Sequence, residues 1–150
     1  MISRVFYDAF GADRLSARVQ PELTAAVVSK LIEKLPAQGK VLDLGCGFGR
    51  IALPLAERGL NVSGIDVSPV LIEAGRCYAS DQGLDIDFTV GSMTQLPYPD
   101  NEFHDVICVW SSFNELLERD EQVATLKEIL RVMRPDALSI IEGFSLPICF

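Results

Sequence analysis

The sequence predicts an α/β fold, a doubly wound parallel sheet, in a chain of 150 residues. Three observations carry this. Continuous short apolar runs, of which Val106 to Trp110 is the clearest, suit strands covered on both faces. Segments with helical apolar spacing alternate with those runs, as in successive βαβ units. A loop with three alternate glycines, Gly45-Cys46-Gly47-Phe48-Gly49, joins the first strand to the segment that follows. At this length one domain is expected, 1–150, burying roughly 70% of its unfolded surface. Residues 1–39 read as an N-terminal helical cap segment and 40–150 as the sheet core.

The elements follow in order. Pro21-Glu22 opens a helix whose Leu23, Val27, Leu31 and Leu35 form one stripe, with proline in the first turn, where its missing N–H costs nothing. A strand is expected over 41–44, then a helix near 49–58. Pro54 falls inside that helix and should remove a hydrogen bond or bend it. The next strand spans 61–65. Ser68-Pro69 reads as an N-cap with a first-turn proline, opening a helix near 69–80. Strands near 86–90, 105–110 and 138–142 and a helix near 120–133 complete the set. No repeat, linker or low-complexity segment interrupts them.

Two features point to a ligand. Glycines at 45, 47 and 49 let the loop approach a bound molecule without Cβ interference, and the helix behind it offers free N–H groups. Asp66 closes the second strand, where a carboxylate can accept charge-assisted hydrogen bonds from the hydroxyls of a ribose. Together they indicate a nucleoside-containing cofactor. One reading is a dinucleotide, because Gly47-x-Gly49-x-x-Ala52 matches the G-x-G-x-x-G/A pattern of nicotinamide oxidoreductases. Against it, the glycines start directly after the strand, and an acid, Asp43, precedes them. That acid would oppose a pyrophosphate.

The D-x-G-x-G-x-G run from Asp43 to Gly49 resembles motif I of the class I S-adenosylmethionine-dependent methyltransferases. An acid there suits a cofactor that ends in an ammonium and carries a sulfonium. The resemblance covers nearly the whole chain. It is nearest to the small methyltransferases that act on small molecules, including those that methylate quinone rings. Gly91-Ser92-Met93-Thr94-Gln95-Leu96-Pro97-Tyr98 is similar to the family segment G-D-A-x-x-L-P-F, in which the acid holds the adenine amino group. Ser92 replaces that acid and should hold adenine more weakly, by ~1 kcal/mol. Phe103-His104-Asp105 resembles the family's F-D at the fourth strand, with the acid displaced by one. Leu126 to Pro135 resembles the helix and turn before the fifth strand. Asp136-Ala137 stands where the family has a glycine pair, so a left-handed turn would strain Ala137.

The resemblance implies a Rossmann-like sheet of strand order 3-2-1-4-5 and S-adenosylmethionine as cofactor, with S-adenosylhomocysteine as product. It assigns cofactor contacts to Asp43, Gly45, Cys46, Gly47, Gly49, Asp66, Val67, Ser92, Met93 and Trp110. Tyr7, in Phe6-Tyr7-Asp8, is similar to an N-terminal aromatic that covers the methyl donor, its alternative being ordinary packing. Ser111, Ser112, Asn114 and Glu115 leave the carboxyl end of the fourth strand and are candidates for the acceptor side. Arg14, Arg18 and Arg50 are candidate partners of the cofactor carboxylate. Cys46 is expected to pack or bond to backbone and not to act as a nucleophile. His104, the single histidine, starts the fourth strand, opposite the end where ligands bind in open α/β sheets, so a structural role is expected. In-line methyl transfer from an activated donor needs alignment more than a general base. No catalytic residue is therefore assigned.

Formal net charge is −8, and no Lys or Arg run stands out, which argues against phosphate-dominated nucleic-acid binding. Cys46, Cys77, Cys108 and Cys149 form no C-x-x-C pair. No metal or disulfide chemistry and a cytoplasmic setting are expected. No uncharged apolar run approaches the roughly 18 residues of a membrane span, and the first residues lack a signal-peptide core. The family fold continues past the fifth strand with a helix and an antiparallel strand pair, whereas here only Ser145 to Phe150 follow. An absent hairpin and an exposed fifth-strand edge are expected, with a homodimer through that edge as one way to cover it. A mean hydropathy of +0.25 fits apolar surface awaiting cover. A non-catalytic cofactor-binding domain or a fragment is the alternative to a small-molecule methyltransferase.

Overall fold

The computed structural model describes residues 2–35 and 38–143. Its five strands are β1 (Lys40–Leu44), β2 (Asn61–Asp66), β3 (Asp87–Val90), β4 (Phe103–Cys108) and β5 (Met133–Ile141). They form one parallel sheet of order β3-β2-β1-β4-β5, the expected class and order. The helices are α1 (Ile2–Ser16), α2 (Pro21–Lys34), α3 (Ala52–Glu57), α4 (Pro69–Asp81) and α5 (Arg119–Val132).

Strand alternation explains the layers. Val41 of β1 packs with Val28, Leu31, Leu55 and Ile72 from α2, α3 and α4 on one face. Leu42 and Leu44 point the other way, to Val106, Ile129 and Val132 around α5. Both sets are buried, so the sheet is covered on both sides, as a parallel sheet requires. The chain moves outward from β1 in one direction to β3, then returns to β4 on the other side. The resulting crevice at the carboxyl ends of β1 and β4 is where ligands bind in this class of sheet.

Local chemistry sets several boundaries. Ser68 caps α4 as expected, its Oγ accepting from the Leu71 N–H at 3.2 Å. α3 is shorter than the expected 49–58, running Ala52–Glu57, but helical bonding reaches back before it. The Leu53 N–H donates to the Gly49 carbonyl at 2.8 Å and the Leu55 N–H to the Ile51 carbonyl at 3.2 Å, so Pro54 between them removes one bond of an otherwise continued i to i−4 series. β4 stops at Cys108, short of the expected 110, because Trp110 and Ser111 both take left-handed backbone (φ 63° and 61°). β5 starts at Met133, well before 138. Its register jumps from Phe103 opposite Met133 to Asp105 opposite Leu138. Asp105 Oδ1 accepts the Leu138 N–H at 2.9 Å across this irregularity. Ala137 is not among the non-glycine residues with positive φ, so the turn differs from a glycine-pair turn and spares the alanine.

Arg131 of α5 pins the segment after β3. Its guanidinium donates to the carbonyls of Leu96 and Tyr98 and to Glu128 and Asp100, at 2.7–3.0 Å. α1 is kinked at Gly11 (φ 76°, ψ 162°), a conformation that favours glycine. Among the described residues β5 forms one edge of the sheet, and no helix is long and apolar enough to cross a membrane. Cys149 and the expectations for the last seven residues lie outside the described part of the chain.

Candidate functional site

The glycine loop leaves β1 with Gly45, Gly47 and Gly49 all at positive φ (69°, 57° and 87°). Gly45 and Cys46 donate their N–H groups to the Ile65 carbonyl at 2.8 and 3.1 Å, which ties the loop to β2. Gly49 has a second reason to be glycine: a Cβ there would stand 2.7 Å from Cζ of Phe88.

Asp66 organises the loop. Its Oδ2 accepts the Gly47 N–H and its Oδ1 the Ser68 N–H, each at 2.9 Å. Each oxygen keeps a lone pair. Burial raises this carboxyl above the usual range, and the backbone donors at Ser68 and Gly47 oppose that rise. Asp43, at the end of β1, is 2% exposed, and its Oδ2 has no hydrogen-bond partner. Burial first and the neighbouring Asp66 second push it up to about 8.

Arg50 supplies the opposite charge. Its Nε donates to Thr24 Oγ1 of α2 at 2.8 Å, and its guanidinium carbon lies 3.0 Å from the centroid of the Trp110 ring. Its Nη1 and Nη2 are buried without partners. Desolvation lowers Arg50 to about 10, so it remains a cation at neutral pH. The left-handed backbone that ends β4 sets Trp110 where it can stack. It is held there by a 2.7 Å bond from the Trp110 N–H to Glu142 Oε2.

α1 closes the site from above. The Tyr7 hydroxyl donates to Glu115 Oε1 at 2.8 Å, and Asp8 Oδ1 accepts from Ser68 Oγ at 2.5 Å. Burial and then the bond to Glu115 push Tyr7 up to about 12. The space enclosed is a cavity of about 370 Å³.

Of the residues expected at the cofactor, Tyr7, Asp43, Gly45, Cys46, Gly47, Asp66, Val67, Met93 and Trp110 line this cavity, and so do Ser112 and Glu115 from the acceptor side. Gly49, Ser92, Ser111 and Asn114 are not part of its wall. Gly49 lies behind the loop against Phe88. Ser92 turns its hydroxyl to Thr94 Oγ1 (2.8 Å) and accepts the Thr94 N–H (3.2 Å), while flanking Gly91 and Met93 face the cavity. Asn114 approaches Gly143, where an added Cβ would meet its Oδ1 at 2.9 Å.

Among the three arginines, Arg50 and Arg18 line the cavity. Arg18 is exposed and sits 4.7 Å from the Phe10 ring, while Arg14 is exposed and outside the wall. Cys46 is buried, and that burial pushes its thiol well up, away from nucleophilic use. His104 lies at the amino end of β4, where its Nδ1 accepts the Lys40 N–H at 3.0 Å. Among the described residues no group of three or more His, Cys, Asp or Glu is placed to hold a metal ion. Sequence reasoning missed Phe6 and Phe10, which line the cavity beside Tyr7. Their spacing of four on one helical face was the available signal.

The chain is similar to known proteins in sequence and in fold. Residues 41–136 match the family model described as a methyltransferase domain. The chain is 34% identical over 119 residues to the protein named "Putative methyltransferase YqeM" of Bacillus subtilis, covering 78% of this chain and 47% of that one. It is 31% identical over 131 residues to a ubiquinone biosynthesis O-methyltransferase of Rickettsia conorii, covering 87% and 42%. The crystal structure of the PH0226 protein from Pyrococcus horikoshii superposes with a TM-score of 0.74 at 29% identity, covering 93% of this chain and 59% of that one. The chain thus spans about half the length of these relatives.

Proposed function

This chain belongs to the methyltransferase-domain family, of the class I S-adenosylmethionine-dependent type, and from that premise we propose that it directs a methyl group to a small-molecule acceptor by in-line displacement. One observation carries the cofactor assignment. Two side chains of a single cavity wall leave buried atoms without partners within the protein, Asp43 at Oδ2 and Arg50 at Nη1 and Nη2. They complement the ammonium and carboxylate of an amino-acid tail. A pyrophosphate would offer no cation to Asp43 and would add negative charge beside Asp66.

When bound, S-adenosylmethionine supplies a methyl group already activated by its sulfonium. The chain's own residues bind and orient. Asp43 and the Gly45 to Gly47 backbone hold the amino-acid tail, with Arg50 at its carboxylate. Asp66, pre-aligned by the Gly47 and Ser68 N–H groups, accepts the ribose hydroxyls on its remaining lone pairs. Val67, Gly91 and Met93 border the adenine. On this reading Ser92 acts through the turn it makes with Thr94 and not by touching the base. Phe6, Tyr7 and Phe10 cover the site and keep water from the reacting atoms. Glu115, bonded to Tyr7, faces the acceptor.

Calorimetry of the folded chain with S-adenosylhomocysteine, with NAD as control, tests this. Micromolar binding of the former and none of the latter is expected. Tighter binding of NAD would instead support the dinucleotide reading of Gly47, Gly49 and Ala52.

A second expectation concerns assembly. Among the described residues β5 stands at a sheet edge, with Leu138 and Ile141 more than a third exposed. Two such edges pair about a two-fold axis without further components. Light scattering should show a dimer forming as concentration rises. A monomer across a wide range would remove the proposal.

A further inference from the structure

Asp43 presents a conflict that the fold does not resolve internally. The side chain is almost wholly buried, Oδ2 has no donor, and Oδ2 is the kind of group proteins rarely leave alone. Among the described residues its surroundings act on it through burial and a neighbouring acid. Asp66 closes β2 beside it, Cys46 follows in the loop, and Cys108 on β4 also feels its charge. Across the cavity stand Tyr7 of α1 and Glu115 of the turn after β4, bonded to each other, and Asp8 of α1 adds its charge against Asp66. The cations in the wall are engaged elsewhere. Arg50 is anchored on Thr24 and stacked on Trp110, and Arg18 lies over Phe10.

We propose that Asp43 selects ligands with a cationic amino-acid tail by exchanging a proton. It is a neutral acid in the ligand-free chain, and it becomes a carboxylate when an ammonium binds beside it. The proton leaves to solvent, and no covalent bond is made or broken in the ligand. This rests on the cofactor reading given above and adds the ionisation change that selects the ligand.

Geometry and electrostatics agree. An uncompensated carboxylate in a dry wall next to Asp66 is costly, so the ligand-free site keeps the proton. Burial and Asp66 place the Asp43 carboxyl at about 8, above neutral pH. A bound ammonium reverses the local charge balance and favours the ionised form. Affinity for an ammonium-bearing ligand therefore rises with pH while Asp43 of the free chain is protonated, and levels off above about 8. With one proton released, the gain is about tenfold per pH unit between pH 6 and 7. A ligand lacking the ammonium leaves the proton in place and shows no such slope.

The test is calorimetry at pH 7 in buffers of different ionisation enthalpy, using S-adenosylhomocysteine and, as the probe without an amino-acid tail, 5′-methylthioadenosine. The dependence of observed heat on buffer reads the protons exchanged. About one proton released with S-adenosylhomocysteine and close to none with methylthioadenosine is expected. Asp43→Asn should bind S-adenosylhomocysteine more weakly, without proton release and without the pH slope. If that variant does not fold, the two-ligand comparison on the natural chain decides alone. Equal proton exchange with both ligands, or none with either, would overturn the proposal while leaving the cofactor reading intact. No binding of S-adenosylhomocysteine to the folded chain would overturn both.

Discussion

Replacing Asp66 with alanine should weaken S-adenosylhomocysteine binding by about 2–3 kcal/mol, the scale of hydrogen bonds to a charged group in a largely buried site. The carboxylate has two tasks. It holds the loop through the Gly47 and Ser68 N–H groups, and it lines the cavity. Asp66→Asn separates them. A carboxamide has one acceptor oxygen, so one of the two backbone donors must face an NH₂ group. The asparagine variant should therefore lose about as much affinity as alanine, although it is nearly isosteric. Calorimetry reads the affinity, and Tm measured on the same samples reports whether the loop still folds. An unchanged dissociation constant in the alanine variant would remove Asp66 from the ribose.

Arg50→Ala has the other large expected effect. The Nη1 and Nη2 donors are buried and unpaired in the ligand-free chain, and such groups cost about 1–3 kcal/mol until something accepts from them. A carboxylate meets both in the plane of the guanidinium, leaving the stack on Trp110 undisturbed. The variant should bind S-adenosylhomocysteine about 2 kcal/mol more weakly, roughly thirtyfold. Adenosine, which has no carboxylate, should bind both forms alike. Lysine at this position should not rescue, because an ammonium lacks the planar fork and the stacking face. Tm should move little, since the loss of the Trp110 stack is offset by removing two unpaired donors. An equal loss for adenosine would mean that Arg50 acts through the shape of the cavity and not through a carboxylate.

The two residues differ in how far their places in the cavity wall could be read from the sequence. Asp66 was legible because its position follows from a strand end one βαβ step after the glycine loop, a relation of spacing alone. The same holds for the loop itself, whose three glycines all take left-handed backbone, and for the sheet order. Ser68 was legible as a cap for a similar reason, since capping is decided within one helical turn. Pro54 was legible as a missing bond for the same local reason, since the Leu53 and Leu55 N–H groups on either side of it reach back to Gly49 and Ile51. Ala137 was read against a family turn that this chain does not make.

Periodicity, turn chemistry and the order of short apolar runs are properties of neighbours along the chain, and they determined the α/β class, the placement of the loop and the acid that answers it. The functional wall is a property of neighbours in space. Tyr7 meets Glu115 across 108 positions, Asp8 meets Ser68 across 60, and Arg50 is fixed by Thr24 on one side and Trp110 on the other. Those pairings depend on how α1 folds back over the crevice and where β4 turns left-handed. No local pattern encodes either, because the energies that choose them arise only when distant side chains are desolvated together. For the same reason Arg50 stood out from Arg14 and Arg18 only once the fold had buried its donors and left them without partners.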